Sequence, residues 1–296
     1  KMPVPWRTPY VRTGVVPVHL VFLLLAVSCT CCTAYRLDFN VTTSLETFLC
    51  SFLYPVFFQI KSTMPSYKLT YFDIRYTPEI TRLLFTLSGT EFEDVRLGRD
   101  AFAQMKASSG KLPLGQVPIL EVDGRLMCQS RAIQRYVARE VGKYGSSNGE
   151  AATIDEVTET CDELLENAAP WLYREQDPEK KAAIRKEYLE EKGPHRLSYL
   201  EKKLQSNPSG YFAGSSLTLA DLAVFNILDI LNDNMPEVIT AYPSLLALKA
   251  KVAAHEKIAK YLTTRPKTEI SEEDQASVSD GAGQNHNNPV LVNAKM

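Results

Sequence analysis

Cysteine and histidine are scarce in most of this sequence, and positive charge is not in excess. Six cysteines occur among 296 residues, and four of them precede Met64. The other two, Cys128 and Cys161, form no CxxC pair, which disfavours a disulfide scaffold, a zinc site and a dithiol redox centre. The four histidines are scattered, and the net charge of −2 offers no basic field to nucleic acid. We predict no metal site and no nucleic-acid partner, and the cysteine usage favours a reducing, cytoplasmic compartment.

A long apolar run is also missing, even from the N-terminal segment, residues 1–63. Arg7 and Arg12 precede "LVFLLLAV" at 20–27, an order typical of a signal peptide. The run has eight residues, whereas a membrane-spanning helix needs about twenty. A glycosylation sequon at Asn40 would matter only in a lumen. The segment is either a leader or anchor, which would make the protein secreted or membrane-attached, or a translated upstream region that is not native.

Regular secondary structure is predicted after this segment. "YKLTYF" places Leu69 and Tyr71 on one face, as a half-buried strand does. The stretch "TPEITRLLFTLSG" then predicts a helix that Thr77 caps, that has Pro78 at its first position, and that Gly89 ends.

A second strand, a hairpin and a helix complete this part of the chain. "FEDVRL" at 92–97 predicts the strand, and "VPILEVDGRLMCQS" predicts the hairpin with a turn at Asp123-Gly124. The loop between them has room for a short helix, and Ser130 is expected to cap the helix that follows. The order predicts a small α/β domain over residues 64–145.

Strand signals stop after this domain, and residues 150–264 predict an all-helical domain. Thr218 and Asp221 have the spacing of a capping box before a strongly apolar helix, which we expect to be buried. Residues 267–296 are rich in Ser, Asn, Gly and acidic residues, and we expect a disordered tail. The first helix of the domain carries an apolar stripe of Ile154, Val157, Cys161, Leu164, Leu165 and Ala168.

Three short stretches of the α/β domain have chemical as well as structural interpretations. Tyr71 ends a strand, where a tyrosine is either a core residue or a hydroxyl donor. Pro118, in "GQVPIL", is either a turn residue or frames an exposed backbone edge that an extended peptide can pair with, and a cis Val117–Pro118 bond would aim that edge. Gln129 and Ser130 either begin an ordinary helix or present its N-terminus to a carboxylate.

Together these motifs resemble the cytosolic glutathione transferases, from Met64 to about Pro266. The resemblance is greatest to the sigma class, which includes prostaglandin D synthases, detoxifying transferases and cephalopod lens crystallins. It implies a thioredoxin-like N-terminal domain, an all-α C-terminal domain, glutathione as co-substrate and a homodimer. The motifs that carry it are "YKLTYFDIR", "VPILEVDG", "QSRAI", "LTLADL" and "IAKYLTTRP".

The resemblance also assigns roles to individual residues. Tyr71 falls on the catalytic tyrosine, whose hydroxyl stabilises the glutathione thiolate. Asp155 falls on an acid that reaches the γ-glutamyl amine in the neighbouring subunit, although a solvated surface carboxylate is the alternative. The implied glutathione-binding set is Tyr71, Phe102, Lys106, Gln116, Val117, Pro118, Gln129, Ser130 and Asp155.

The sequence departs from the family pattern in three places. The usual Gly-Arg-Ala is Tyr76-Thr77-Pro78, so the arginine that supports the thiolate is missing, and Arg75 is the neighbouring candidate to compensate. Phe102 stands where the family has tryptophan, and the loop from residue 106 to 118 is about three residues longer than usual.

These observations favour a glutathione transferase that acts on small apolar electrophiles. Two alternatives stay open at this point. One is a prostaglandin D synthase-type isomerase that uses glutathione as cofactor, and the other is a non-catalytic, crystallin-like relative, which the altered turn after Tyr71 motivates. A membrane partner is expected only if residues 1–63 are a genuine anchor.

Overall fold

The computed structural model of the chain describes residues 65–108 and 110–266. The expectations for residues 1–63 and for the tail at 267–296 therefore lie outside the described residues. In the described part of the chain, an α/β domain precedes a helical domain.

The first domain is built on a four-stranded mixed sheet. It contains β1 (Tyr67–Phe72), α1 (Thr77–Ser88), β2 (Glu93–Leu97), α2 (Arg99–Ala107), β3 (Ile119–Val122), β4 (Arg125–Cys128) and α3 (Ser130–Glu140). The strand order is β2-β1-β3-β4, with β1 parallel to β2 and β3 antiparallel to both of its neighbours. The parallel pair needs a crossover, which α1 provides, while β3 and β4 are joined by a tight turn. The predicted element order is confirmed, including the short helix α2.

The second domain consists of helices in the part of the chain that is described. Its elements are α4 (Asn148–Ala169), α5 (Pro178–Glu187), α6 (Gly193–Gln205), α7 (Leu219–Asn234), α8 (Pro236–Ile239), α9 (Pro243–Ala253) and α10 (Glu256–Thr264). Two π-helical turns, the first at Pro170–Arg174 and the second at Tyr188–Lys192, follow α4 and α5. The first of these turns occurs beside the site described below, and π-turns are frequent near functional sites.

α7 is the buried centre of the helical domain, and its start is the capping box that the sequence predicts. The Asp221 carboxylate accepts hydrogen bonds from the Thr218 N–H and hydroxyl, both at 2.8 Å, and from the Phe212 N–H at 3.0 Å. These bonds satisfy backbone donors that a helix N-terminus otherwise leaves unpaired. The prediction of a capped, buried helix is confirmed.

Turn chemistry follows the sequence at some positions and departs from it at others. Asp123 and Gly124 have φ angles of 49° and 81°, as the two central residues of a tight hairpin turn require, and Gly89 ends α1 with φ of 74°. The predicted caps at Thr77 and Ser130 are wrong. Thr77 and Ser130 are instead the first helical residues of α1 and α3. The N-cap positions belong to Tyr76 and Gln129, and neither side chain makes a capping hydrogen bond.

The two domains are joined by ion pairs between side chains distant in sequence. Arg75, just after β1, donates to Asp229 on α7 at 2.9 Å. Arg131, in the first turn of α3, donates to the buried Asp162 on α4 at 2.7 Å. Because both pairs are half-buried or buried, they are screened less by salt than surface pairs and fix the approach of the domains.

None of the helices in the described ranges has the length and hydrophobicity needed to cross a membrane. Side chains of His, Cys, Asp and Glu in the same ranges form no group of three that could hold a metal ion. Cys128 is a half-buried free thiol, and Cys161 is a buried one. Burial, followed by the neighbouring Asp162, raises the pKa of the Cys161 thiol well above its usual value, so this cysteine is inert at neutral pH.

Candidate active site

Three segments that carry predicted site residues meet at one edge of the sheet. Thr70 on β1 lies opposite Ile119 on β3, and Ile119 lies opposite Cys128 on β4. Neighbouring strands are about 4.8 Å apart, so the row across them spans about 10 Å. The next residues toward this edge are Tyr71, Pro118 and Gln129, of which Pro118 and Gln129 lie just outside their strands.

Tyr71 is held as a neutral phenol in an almost fully buried position. Its side chain is 1% exposed. Burial raises the pKa of the Tyr71 hydroxyl well above its usual value, and Tyr76 and Tyr173 add to this rise, while Arg82 and Arg174 oppose it. The raised pKa keeps the proton on the oxygen through the physiological range, so the Tyr71 hydroxyl is able to donate a hydrogen bond but is not a base at these pH values.

The backbone just before β3 contains the cis bond that the sequence left open as one possibility. The Val117–Pro118 peptide bond is cis, Val117 is buried, and Pro118 is half-buried. Because proline carries no N–H, it cannot extend the ladder, and β3 begins only at Ile119. Val117 therefore lies one residue beyond Pro118 at this edge of the sheet, where its backbone is outside the ladder of β3.

The start of α3 offers donors to an anion. Gln129 is exposed and has φ of 74°, which turns the chain sharply from β4 into the helix. Ser130 is the first helical residue, and no side chain caps the N-terminus. The first turn holds no acidic residue but does hold Arg131. Unpaired N–H groups and the helix dipole together favour a carboxylate at this position.

Lys106 and Phe102, two members of the implied glutathione-binding set, differ in their exposure to solvent. Lys106 is exposed and lies against the longer loop. A β-carbon added at Gly115 would lie 4.0 Å from the Cε atom of Lys106, which places Lys106 next to Gln116. Phe102 is buried, and its ring packs edge-on against the Phe72 ring at 5.0 Å. Phe102 is thus a core residue of the domain, while Lys106 and Gln116 are accessible to a ligand.

Asp155 already has two partners within its own chain. Its Oδ1 accepts from Arg135 Nε at 2.7 Å, and its Oδ2 accepts from the Tyr144 hydroxyl at 2.6 Å. The pKa of Asp155 is lowered, because these hydrogen bonds and the charge of Arg135 outweigh the opposing effect of burial. The side chain stays 39% exposed, so the carboxylate remains accessible from outside the chain.

Arg75 does not take the place of the missing arginine. Its guanidinium donates to Asp229 at 2.9 Å and to Asp233 at 2.5 Å, both on α7. The suggestion that Arg75 compensates is therefore wrong, because its charge is already neutralised by two carboxylates. Thr77, at the position of the family's arginine, uses its carbonyl to accept a hydrogen bond from Gln134 at 2.8 Å.

Sequence reasoning missed the residues that the helical domain contributes near Tyr71. Tyr173 packs edge-on against Tyr76, with ring centroids 5.7 Å apart, and Arg174 follows it. The buried Asp162 also faces this region, and burial raises its pKa to about 6 although Arg131 opposes the shift. The "PWLYR" stretch is rich in aromatic residues, but nothing in its sequence indicates which domain it faces.

Comparison with known families agrees with this architecture. Residues 67–139 match the model of the glutathione S-transferase N-terminal domain, and residues 162–265 match that of the C-terminal domain. The chain is 39% identical over 207 residues to a hematopoietic prostaglandin D synthase from Gallus gallus, covering 70% of this chain and 100% of that protein. It is 36% identical over 210 residues to the S-crystallin SL11 of Nototodarus sloanii, covering 69% and 99%.

A solved structure leads to the same family. The crystal structure of monomeric Na-GST-3, a glutathione S-transferase from the hookworm Necator americanus, is 33% identical with a TM-score of 0.60 and covers 69% of this chain and 99% of that one. This chain belongs to the glutathione S-transferase family. Membership confirms the predicted fold, the transferase class and glutathione as co-substrate.

Proposed function

We propose that the protein binds glutathione along the edge of Tyr71, Val117 and Gln129 and activates its thiol for attack on small apolar electrophiles. The observation that carries this proposal is that Tyr71 on β1, Pro118 just before β3 and Gln129 just after β4 follow the paired residues Thr70, Ile119 and Cys128 at one edge of the sheet. The row of about 10 Å accommodates an extended tripeptide, whose residues each span about 3.3 Å.

Each part of glutathione has a chemically suitable partner along this row. The γ-glutamyl carboxylate binds at Gln129 and Ser130, where the helix N-terminus supplies free N–H donors. The cysteinyl backbone pairs with Val117, as an added strand does at a sheet edge. The glycyl carboxylate lies near Lys106 and Gln116. Phe102 takes part only by supporting Phe72 beneath the site.

Tyr71 supplies the chemistry at the sulfur. A free thiol has a pKa of about 8.5, so little of it is thiolate at neutral pH. The Tyr71 O–H donates a hydrogen bond to the thiolate and thereby favours ionisation, with the thiol proton released to solvent. The sulfur then forms a C–S bond to the electrophilic carbon, and the leaving group departs with the electron pair of the bond that breaks.

We also propose a cytoplasmic homodimer in which Asp155 reaches the γ-glutamyl amine of the partner's site. The exposed fraction of Asp155 and its lowered pKa support this role, because they keep an accessible negative charge at the surface of α4.

The test is ultraviolet difference spectroscopy of glutathione titrated into the protein and into Tyr71→Phe. We expect a thiolate band near neutral pH that disappears in the variant while binding persists. The matched control is Tyr67→Phe, which removes a hydroxyl from the other end of the same strand and should keep the band. A band of equal strength in Tyr71→Phe would refute the role of Tyr71.

The similarity to a prostaglandin D synthase supports one second candidate, an isomerase that uses the same activated thiol. Turnover of a prostaglandin endoperoxide without net consumption of glutathione would identify the isomerase, whereas conjugates of apolar electrophiles would identify the transferase. Glutathione binding without any thiolate band would instead support the non-catalytic, crystallin-like alternative. The similarity to S-crystallin SL11 is consistent with that alternative.

A further inference from the structure

Arg174 differs from most arginines of the described chain in having no carboxylate partner there. It ends the first π turn, its side chain is half-buried, and its Nε is buried without a hydrogen-bond partner among the described residues. A buried guanidinium N–H is costly to leave unpaired, so its retention calls for a physical reason. The arginines that do hold carboxylates in ion pairs are Arg75, Arg82, Arg96, Arg131, Arg135, Arg185, Arg196 and Arg265.

The first π turn places Arg174 at the turn that follows Tyr71. The preceding residue, Tyr173, packs its ring edge-on against Tyr76 at 5.7 Å. Tyr76 in turn adjoins Thr77, the position that lacks the family's arginine. The charge of Arg174 acts on both hydroxyls, since it lowers the pKa of Tyr71 and of Tyr76 against the larger effect of burial.

The other arginine that acts on Tyr71 is not available as a free charge. Arg82 is fully buried, and its Nε lies 3.1 Å from both oxygens of Asp94. Its Nη1 donates to Glu79 and to the Ile74 carbonyl, each at 3.2 Å. Arg82 lowers the pKa of Tyr71 as well, but its side chain is held in ion pairs with two carboxylates, whereas Arg174 has no such pair among the described residues.

We propose that Arg174, from the helical domain, supplies the positive charge that stabilises the glutathione thiolate opposite Tyr71, in place of the arginine that Thr77 replaces. This inference rests on the proposed function. Arg174 transfers no proton, because a guanidinium stays charged at every relevant pH. The thiol proton leaves to solvent, and the fixed positive charge lowers the free energy of the anion that remains.

The test compares the apparent pKa of bound glutathione in the wild type, Arg174→Gln and Arg174→Lys by titrating the thiolate band with pH. One nearby charge shifts a pKa by about one unit or more, so we expect Arg174→Gln to raise the apparent pKa of the bound thiol by about one unit. Arg174→Lys keeps the charge and should shift this pKa by less than about half a unit. The matched control is Arg185→Gln, which removes a charge from the same domain at an exposed ion pair and should leave the titration unchanged.

Other outcomes separate this inference from the proposed function. A wild type without a thiolate band refutes the proposed function itself. A wild-type band with an unchanged thiol pKa in Arg174→Gln refutes only the role of Arg174. The role of Arg174 in stabilising the thiolate is also refuted if Arg174→Gln changes only the KM for an acidic electrophile and leaves the thiol pKa unchanged. Arg174 would then bind the substrate and not the thiolate. If Arg174→Gln does not fold, as judged by circular dichroism, Arg174→Met, which keeps the apolar stem, provides the same comparison.

Discussion

The Asn226 side-chain amide donates a hydrogen bond of 3.2 Å to the backbone carbonyl of Tyr76. Asn226 lies in the buried helix α7, and Tyr76 lies in the turn that follows β1. The core of the helical domain thus holds the backbone of this turn directly. Mutations in α7 are therefore expected to reach the site through the position of Tyr76.

Asn226→Ala should destabilise the protein by about 1 kcal/mol, because it removes one hydrogen bond to the Tyr76 carbonyl, which still accepts from the Glu79 N–H at 3.2 Å. Urea denaturation measures this change. The matched control is Asn234→Ala, which removes an equivalent hydrogen bond to a backbone carbonyl, of 2.7 Å, from an exposed position of the same helix. Equal effects of the two substitutions would contradict the structural role of Asn226.

Arg82→Gln should cost about 3 kcal/mol or more of stability, because it leaves the carboxylate of Glu79 buried with fewer partners. Glu79 is 1% exposed and would keep only the Tyr261 hydroxyl at 3.0 Å and Arg265 at 3.3 Å. The melting temperature and denaturation midpoint report the loss. Arg185→Gln breaks an exposed pair and should change stability by less than about 1 kcal/mol. A loss of that small size for Arg82→Gln would refute the prediction.

Asp162→Asn should change how stability depends on pH. The pKa of Asp162 is raised to about 6 by burial, from an ordinary value of about 3.9, so the folded state binds the proton more tightly than the unfolded state does. The raised pKa means that wild-type stability, relative to Asp162→Asn, is greatest below pH 4 and falls as the pH rises to about 6. The total change is roughly 3 kcal/mol.

Denaturation of both proteins at a series of pH values between about 4 and 7 checks this prediction, since the difference between the two curves cancels the contributions of other groups. The prediction is contradicted if the stability difference between the two proteins does not vary with pH, or if it favours the wild type at higher pH. Either result would show that Arg131, and not burial, determines the charge state of Asp162.

Asp155→Ala should weaken glutathione binding about tenfold while the homodimer survives, if the carboxylate reaches the partner's site. The substitution also removes the acceptor of the Tyr144 hydroxyl, so Tyr144→Phe is the matched control, because it breaks this contact and keeps the carboxylate. Calorimetric titration gives the affinity, and sedimentation gives the oligomeric state. Unchanged affinity in Asp155→Ala would return this residue to a role within its own chain.

Local features of the fold could be predicted because neighbouring residues set them. The turn at Asp123-Gly124, the end of α1 at Gly89 and the capping box of Thr218 and Asp221 each depend on backbone geometry within a few residues, and all three are confirmed. The caps at Thr77 and Ser130 were wrong by one position, because the residue before each helix completes the turn without a side-chain bond.

The sequence by itself determined the family, the order of the elements and the residues that meet at the edge of the sheet, since motifs and hydrophobic period carry that information. The tertiary structure decided the electrostatics around Tyr71. Arg75 lies close in sequence but pairs with Asp229 and Asp233, whereas Arg174, about a hundred residues away, stands beside the turn. The physical reason is that a charge acts through distance and burial, which exist only after the helical domain packs on the sheet domain.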